Sequence, residues 1–251
     1  MKFVFDLDGT LCFDRMTIAP DIKCVLEKAQ DFGHEVIFAS ARAYRDCISL
    51  LTGELAYKRV VGLNGGLVYE NGQLTFKQHL TQEAYQNALT WCHYFRLPYF
   101  VDDDFDYAYF KGEKIPFISS VDPLHLANCL EIDQLKSPIK MVIYLGDHEE
   151  LAEPFCRELK ALNQVDVDYH EHEKCLYLNP YATNKATTVM RQIGSDFIAF
   201  GNDKNDIDLF KASLYSVQVG NFPSLNQYAD EQVEGNSAAV CRCITKLFEL
   251  Y

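Results

Sequence analysis

The sequence predicts an α/β fold, in which a parallel β-sheet with helices on both faces is interrupted by an inserted α+β domain. Apolar, β-rich segments alternate with amphipathic segments near both ends of the 251-residue chain, and this alternation is typical of a parallel sheet. The middle of the chain instead carries a hairpin motif and short aromatic strands. Two carboxylates follow the first apolar segment, and the carboxyl ends of parallel strands are where such sheets bind ligands.

The first part of the chain supplies three strands and two helices in alternation. The run DIKCVLEKAQDF has apolar residues at helical spacing between Pro20 and Gly33, so it predicts a helix. The predicted elements in chain order are a strand at 2–7, a helix at 21–32, a strand at 35–39, a helix near 44–51 and a strand at 59–63.

The same alternation returns in the last third of the chain. The predicted elements there are a helix at 186–193, a strand at 197–200, a helix at 207–212, a strand at 214–219 and a last helix at 238–250. Because both ends of the chain share this pattern, we expect residues 1–79 and 179–251 to form one Rossmann-like core domain.

The segment between these two parts has a different pattern. A hairpin at 64–76 is predicted by Asn71-Gly72, a pair that favours tight β-turns. It is followed by a helix at 81–95, aromatic strands within 99–110, a helix near 123–130, a strand at 140–145, a helix at 149–162 and two β-like runs that end near 178. We therefore predict an inserted α+β domain at 80–178.

Composition excludes several classes of partner. The formal net charge is −13 and no basic stripe is evident, so a nucleic-acid partner is not expected. No apolar run approaches the roughly 18 residues of a membrane span, and Asp6 and Asp8 interrupt the N-terminal apolar run, which argues against a signal peptide. The nine cysteines form no CxxC pair, so we expect reduced thiols, a cytoplasmic location and no membrane partner.

Polar side chains are placed at the predicted ends of strands. In VFDLDGTL, Asp6 and Asp8 lie two residues apart, and the two-residue period of a strand lets both point to one side. Gly9 permits a tight turn and Thr10 adds a hydroxyl group. Ser40 follows the second strand in FASAR. Together these residues predict a polar site at one edge of the sheet.

Four motifs in this order resemble those of the haloacid dehalogenase superfamily, most of whose members are phosphatases. They are Asp6 to Thr10 in DLDGT, Ser40, Lys185 in NPYATNKATTV, and FGNDKNDIDLF at 200–210. The insertion between the second and third motifs, preceded by LNGG, resembles the α/β cap of the Cof-type subfamily. The resemblance spans the whole chain, and it implies that the cap closes over the core and excludes bulk water.

By this resemblance the protein is an enzyme that hydrolyses small phosphorylated metabolites, sugar phosphates foremost. Asp6 would attack phosphorus and form an aspartyl-phosphate, while Asp8 would protonate the leaving oxygen and then take a proton from water. Phosphate binding falls to Thr10, Ser40, Lys185 and Asn205. The oligomeric state stays open, and a monomer is compatible with the sequence.

The resemblance also implies Mg²⁺, which prefers oxygen ligands. The expected ligands are a carboxylate oxygen of Asp6, the backbone carbonyl of Asp8 and the first acidic residue of the fourth motif. At that third position the chain departs from the family pattern, because Asn202 stands where aspartate is usual. Asp203 is the alternative ligand if the loop shifts by one residue, and Asp206 would support the metal from behind.

Two other functions remain open. A phosphosugar mutase would need the inserted domain to bind both ends of a bisphosphate, and its only arginines are Arg96 and Arg157. A binding or regulatory protein with a relic site is the third reading, and Asn202 is its best support. Arg42, two residues after Ser40, is either a phosphate contact or a solvated surface residue.

Overall fold

The computed structural model describes residues 1–110 and 115–251. These residues form two compact units, which we call the core unit (Met1–Thr75 and Asn184–Tyr251) and the cap unit (Phe76–Thr183). The sequence prediction had set the corresponding limits at 79/80 and 178/179.

Two sheets account for the strands of the described residues. The strands are β1 Lys2–Phe5, β2 Glu35–Ala39, β3 Arg59–Gly62, β4 Leu67–Glu70, β5 Gln73–Lys77, β6 Tyr99–Asp102, β7 Tyr107–Tyr109, β8 Lys140–Tyr144, β9 Val165–His170, β10 Cys175–Pro180, β11 Phe197–Gly201, β12 Tyr215–Val219 and β13 Glu231–Val233. The larger sheet has the order β13-β12-β11-β1-β2-β3-β4-β5, and the smaller has the order β7-β6-β8-β10-β9. Strands β13 to β3 of the larger sheet are parallel, whereas every pair in the smaller sheet is antiparallel.

Helices are distributed over both units. The α-helices are α1 Pro20–Glu27, α2 Tyr44–Cys47, α3 Gln82–Phe95, α4 Ala152–Ala161, α5 Lys185–Ile193, α6 Ile207–Ala212, α7 Pro223–Asn226 and α8 Ser237–Leu250. A parallel sheet in the core unit and a separate antiparallel sheet in the cap unit confirm the predicted α/β fold with an inserted α+β domain.

Strand β1 lies in the middle of the parallel sheet, between β11 and β2. Phe3, Val4 and Phe5 are completely buried, as expected for a strand that is covered on both faces and therefore reads as a continuous apolar run. The parallel neighbours end at the same edge of the sheet. The residues that follow β1, β2 and β11 consequently lie close together, and these are the residues that the motifs contain.

The hairpin turn of the larger sheet and the start of α3 both have the local structure that their residues favour. Asn71 and Gly72, the predicted hairpin turn between β4 and β5, both have positive φ, 53° and 74°, as a type I′ turn requires. Helix α3 begins after Thr81, whose side chain accepts a hydrogen bond from the backbone N–H of Ala84 at 3.3 Å, a favourable N-cap.

The predicted helix near 123–130 is wrong. Asp122 and His125 have positive φ, 48° and 54°, which a right-handed helix does not allow. The carboxylate of Asp122 accepts hydrogen bonds from the backbone N–H groups of Leu126 and Ala127, at 2.9 and 3.0 Å. A side chain that takes these donors competes with the helical backbone pattern, so the segment folds as a capped loop.

Other predicted elements differ from the structure in length. The helix predicted near 44–51 contains only the four α-helical residues of α2, and the helix predicted at 21–32 changes to a 3₁₀-helix at Lys28–Phe32. Strand β13 was not predicted. All nine cysteines are free thiols. Among the described residues, no helix has the length and apolar character that a membrane span requires.

Candidate active site

Asp6 is the first residue after β1, and it is 5 % exposed. Its backbone N–H continues the sheet by donating to the Phe200 carbonyl at 3.0 Å. Lys185, the first residue of α5 and 1 % exposed, reaches Asp6 Oδ1 with its Nζ at 2.6 Å and Asp206 Oδ1 at 2.8 Å. A buried ammonium thus joins two buried carboxylates.

The charges of this cluster act on one another strongly because they are buried. Burial raises the pKa of Asp6 to about 7; the Lys185 ammonium opposes that rise and the Asp206 carboxylate adds to it. Burial by itself would lower the pKa of Lys185, but the attraction of Asp206 and Asp6 outweighs it, and the pKa is raised. The lysine therefore stays charged, and the two carboxylates leave the cluster one negative charge in excess when both are ionised.

Asn202, the first residue after β11, lies directly against the first motif. Its Oδ1 accepts a hydrogen bond from Thr10 Oγ1 at 3.0 Å. The position of this Oδ1 atom is also 2.8 Å from the Asp8 carbonyl oxygen and 3.1 Å from Asp6 Oδ2. With the amide turned over, its nitrogen would donate to all three oxygens. Three oxygens of the first motif thus surround the tip of this one side chain.

A glycine makes this close approach possible. A Cβ atom at Gly9 would lie 2.2 Å from Asn202 Nδ2, and Gly9 has a φ of +78°, which other residues rarely adopt. Any side chain at position 9 would displace the Asn202 amide.

The rest of the fourth motif is held by Asp206. Its Oδ2 accepts hydrogen bonds from the backbone N–H groups of Asn202 at 2.9 Å and Asp203 at 3.2 Å, and it is completely buried. A Cβ at Gly201 would lie 2.6 Å from Asp206 Cγ, so the two residues are packed as closely as the glycine permits. Asp203 is exposed, and its Oδ1 accepts from the Lys204 N–H at 2.6 Å. Of the two alternative metal ligands, the structure therefore places Asn202, and not Asp203, beside Asp6 and Asp8.

Ser40 follows β2 and is buried. Its Oγ accepts a hydrogen bond from the backbone N–H of Arg42 at 3.1 Å and is in hydrogen-bond contact with the Cys47 thiol. Thr10 Oγ1 lies 3.1 Å from Asp6 Oδ2 as well as against Asn202. Thr10 is thus engaged with the first motif and the fourth, whereas Ser40 contacts residues that follow β2.

Arg42 has a defined partner. Its Nε donates to Asp8 Oδ2 at 2.8 Å and its Nη2 donates to Asp8 Oδ1 at 2.6 Å. The sequence left Arg42 open between a phosphate contact and a surface residue, and the structure shows a bidentate pair with the second carboxylate of the first motif. A partner 34 positions away carries no local sequence signal.

The turn after β3 is a second feature that sequence reasoning missed. Leu63 and Asn64 have φ values of 50° and 55°, and two consecutive left-handed residues other than glycine are uncommon, above all at a leucine. Asn64 donates its backbone N–H to the Ser40 carbonyl at 3.0 Å, and its Oδ1 lies 3.5 Å from Asn205 Nδ2. Gly65, with a φ of +100°, has no room for a Cβ, which would lie 2.4 Å from the Asn184 carbonyl oxygen. The visible signal was the Leu-Asn-Gly-Gly sequence, which supported the hairpin prediction and the family resemblance but was not used to predict this turn.

These contacts assemble a compact anionic site with one buried cation. The predicted residues Asp6, Asp8, Thr10, Lys185 and Asn202 lie within one network of contacts. Asp206 supports them, Ser40 is joined to the network through Arg42, and Asn205 and Asp203 are exposed at its margin. A carboxylate backed by a buried ammonium, with a second carboxylate two residues on, is suited to nucleophilic attack coupled to proton transfer.

Comparisons with known proteins agree with this geometry. A family model described as haloacid dehalogenase-like hydrolase matches residues 3–242. A phosphoglycolate phosphatase of Methanosarcina acetivorans is 23 % identical over 231 residues, which cover 88 % of this chain and 85 % of the relative. The solved haloacid dehalogenase-like hydrolase of Bacteroides thetaiotaomicron is 18 % identical, with 98 % of each chain covered and a TM-score of 0.83. A solved sugar phosphatase of haloacid dehalogenase subclass IIB is 16 % identical, with 98 % of each chain covered and a TM-score of 0.75.

Proposed function

Because the chain belongs to the haloacid dehalogenase-like hydrolases and is a phosphatase of that family, we propose that it hydrolyses small phosphomonoesters with the help of Mg²⁺. The observation that carries this proposal is the buried Asp6–Lys185–Asp206 chain of contacts at the end of β1, with Asp8, paired to Arg42, two residues further along the chain. Both the family and its Cof-type character agree with the sequence prediction.

The reaction follows from the two carboxylates of the first motif. A carboxylate oxygen of Asp6 attacks phosphorus; the new oxygen–phosphorus bond forms as the bond to the substrate's oxygen breaks. Asp8 gives its proton to that leaving oxygen, so an alcohol departs. Water then attacks the phosphoryl group on Asp6, Asp8 takes a proton from this water, and inorganic phosphate is released.

Lys185 and the Ser40 hydroxyl have distinct tasks in this reaction. The Lys185 ammonium offsets the negative charge of Asp6 and of the phosphoryl oxygens that approach it. The Ser40 hydroxyl donates to one phosphoryl oxygen while its oxygen accepts from the Arg42 N–H. Both groups are buried, so neither must be drawn out of solvent when the substrate binds.

The oxygens around Asn202 fit a magnesium ion. Octahedral Mg²⁺ binds oxygens at about 2.1 Å, so neighbouring ligand oxygens lie about 3 Å apart. The Asn202 oxygen position is 2.8 Å from the Asp8 carbonyl and 3.1 Å from Asp6 Oδ2, and an amide oxygen that faces other oxygens is the arrangement a cation requires. These three groups would hold the ion, and its chemistry when bound is charge neutralisation at Asp6 and at the phosphoryl oxygens.

Two further observations are compatible with this donor set. In the described residues, no cluster of three or more His, Cys, Asp or Glu side chains is placed to hold a metal, and here one donor is a backbone carbonyl and another is an amide. The pKa of Asp6 is raised by burial to about 7, so a cation at this position would favour the ionised, nucleophilic carboxylate at neutral pH.

Small phosphorylated metabolites, with sugar phosphates foremost, are the proposed substrates. Two similar proteins, a phosphoglycolate phosphatase and a sugar phosphatase, support a small phosphomonoester as the substrate. A panel of phosphorylated metabolites, with release of inorganic phosphate as the readout, would identify the preferred one.

The test of the reaction is p-nitrophenyl phosphate turnover with Mg²⁺ or with a chelator, in the wild type and in Asp6→Asn. We expect turnover only with Mg²⁺, and a loss of several decades in Asp6→Asn, because the amide matches the carboxylate in shape but is a poor nucleophile. Asp31→Asn, an exposed aspartate of the core unit, is the matched control and should keep full activity. Asp6→Asn that retained more than about a tenth of the rate would exclude the covalent route.

A further inference from the structure

The Arg42 guanidinium binds both carboxylate oxygens of Asp8. Each Asp8 oxygen receives one N–H, from Nε at 2.8 Å and from Nη2 at 2.6 Å. The Arg42 side chain is 19 % exposed and that of Asp8 is 34 % exposed, so the pair is partly shielded. Two parallel hydrogen bonds fix the plane of a carboxylate, whereas a single ammonium would fix only its distance.

The arginine is itself anchored from behind. Its Nη2 also donates to the backbone carbonyl of Arg15 at 2.7 Å. Arg15 has a φ of 62° and lies in a turn that Asp14 organises: Asp14 Oδ1 accepts from the backbone N–H groups of Met16 at 2.8 Å and Thr17 at 2.7 Å. The arginine is therefore held between a fixed turn and Asp8.

We propose that Arg42 is a positioning residue for Asp8, which it holds in the orientation needed to deliver a proton to the leaving oxygen. The inference rests on the proposed function, in which Asp8 is the general acid. Each carboxyl oxygen has two lone-pair positions, and the guanidinium takes one on each oxygen. In the proposed reaction, a protonated Asp8 would carry its proton on one of the remaining positions, and that O–H bond would break as the leaving oxygen gains the hydrogen.

A direct phosphate-binding role for Arg42 is the competing reading, and the geometry speaks against it. Nε and Nη2 are both engaged with Asp8, and Nη2 is also engaged with Arg15. An arginine with these contacts orients the Asp8 carboxylate. Proton transfer by a positioned group depends steeply on geometry, and a displacement of about 1 Å can cost roughly a hundredfold in rate.

The experiment compares two substrates of similar shape whose leaving groups differ in basicity, p-nitrophenyl phosphate and phenyl phosphate. The value of kcat/KM covers only the steps up to release of the phenol, so it reports the proton given to that phenol. Nitrophenolate needs little protonation and phenolate needs much. We expect Arg42→Lys to lower kcat/KM for phenyl phosphate by about ten- to a hundredfold, but by less than about threefold for p-nitrophenyl phosphate.

Three further variants make the result decisive. Asp8→Asn should also lower kcat/KM more for phenyl phosphate than for p-nitrophenyl phosphate, and the difference between the substrates should be larger than in Arg42→Lys. Asp14→Ala alters an exposed side chain, so it should fold, and it should show a weaker effect in the same direction. Arg242→Lys, an exposed arginine of α8, should change neither substrate.

The outcomes separate the inference from the proposed function. If Asp8→Asn discriminates between the substrates and Arg42→Lys does not, the positioning role of Arg42 is refuted and the proposed function stands. If Arg42→Lys weakens both substrates equally through KM, Arg42 binds phosphate and the positioning role is also refuted. If Asp8→Asn does not discriminate, Asp8 is not the acid, and the proposed mechanism fails together with the inference. If Arg42→Lys does not fold, the test rests on Asp14→Ala alone. Equal effects of Asp14→Ala on kcat/KM for both substrates would overturn the proposal.

Discussion

Replacing Asn202 by aspartate would add one negative charge to the proposed metal site with almost no change in side-chain shape. The added carboxylate would lie 3.1 Å from Asp6 Oδ2 and 2.8 Å from the Asp8 carbonyl oxygen. Without a cation, the two carboxylates would repel each other. With Mg²⁺ bound, both would be ligands of the same ion, and hard cations bind more tightly as ligand charge increases.

The magnitude follows from the distance. Two unit charges 3.1 Å apart repel by about 1 kcal/mol in a water-like medium and by about 5 kcal/mol at an effective dielectric constant of 20. Asn202 is half-buried, so we take about 1–2 kcal/mol as the repulsion between the two carboxylates. In a chain of this size, 1 kcal/mol corresponds to about 2–4 °C in melting temperature. The same free energy is regained when Mg²⁺ binds, which lowers the half-saturating concentration by about five- to thirtyfold.

The assay has two readouts. Thermal unfolding in chelator should show a lower melting temperature for Asn202→Asp than for the wild type, and Mg²⁺ should remove the difference. Titration of p-nitrophenyl phosphate turnover with Mg²⁺ should show the lower half-saturating concentration, and Asn202→Ala should show a higher one. Asp203→Ala is the matched control: it removes a cap contact worth about 1 kcal/mol and should leave the metal requirement unchanged. A larger metal defect in Asp203→Ala than in Asn202→Ala would refute the placement of the ion.

Two other substitutions test the scaffold of the site. Asp206→Asn should lower the free energy of unfolding, measured in urea, by about 3–5 kcal/mol. The reason is that an amide cannot accept from Lys185 and from two backbone N–H groups at once. A loss below about 1 kcal/mol, similar to that of the exposed Asp208→Asn, would contradict this. Asn64→Gly should keep or raise the melting temperature, since glycine adopts a φ of 55° without strain, yet lower kcat/KM for p-nitrophenyl phosphate about fivefold through the lost amide contact. Unchanged kcat/KM would show that the Asn64 side chain serves only the turn.

Much of the site could be predicted because it depends on local patterns. An apolar run that ends in Asp6 and Asp8 identifies a buried strand and its carboxyl end, and a parallel sheet then brings Ser40 to the same edge. The fold class and the family were confirmed for the same reason: each motif lies where a strand stops or a helix begins.

The features that escaped prediction depend on contacts between distant segments. The bidentate pair of Arg42 with Asp8 joins positions 34 residues apart. Leu63 has no propensity for left-handed backbone, and its conformation depends on tertiary contacts around it. That the Asn202 amide lies against Thr10 and the Asp8 carbonyl depends on contacts between segments about 190 residues apart.

The order of the strands has a consequence for how the protein is made. Strands β1 and β11 are neighbours in the sheet, but β11 is synthesised roughly 200 residues after β1. At about 5–20 residues per second, this delay is on the order of 10–40 s. During that time the apolar segment that ends in Asp6 has β2 available on one edge, while its other edge is free to pair wrongly. The hydrolytic centre therefore cannot assemble on a growing chain until Lys185 and β11 have emerged, and we expect the period before their release to be the one in which a molecular chaperone matters most.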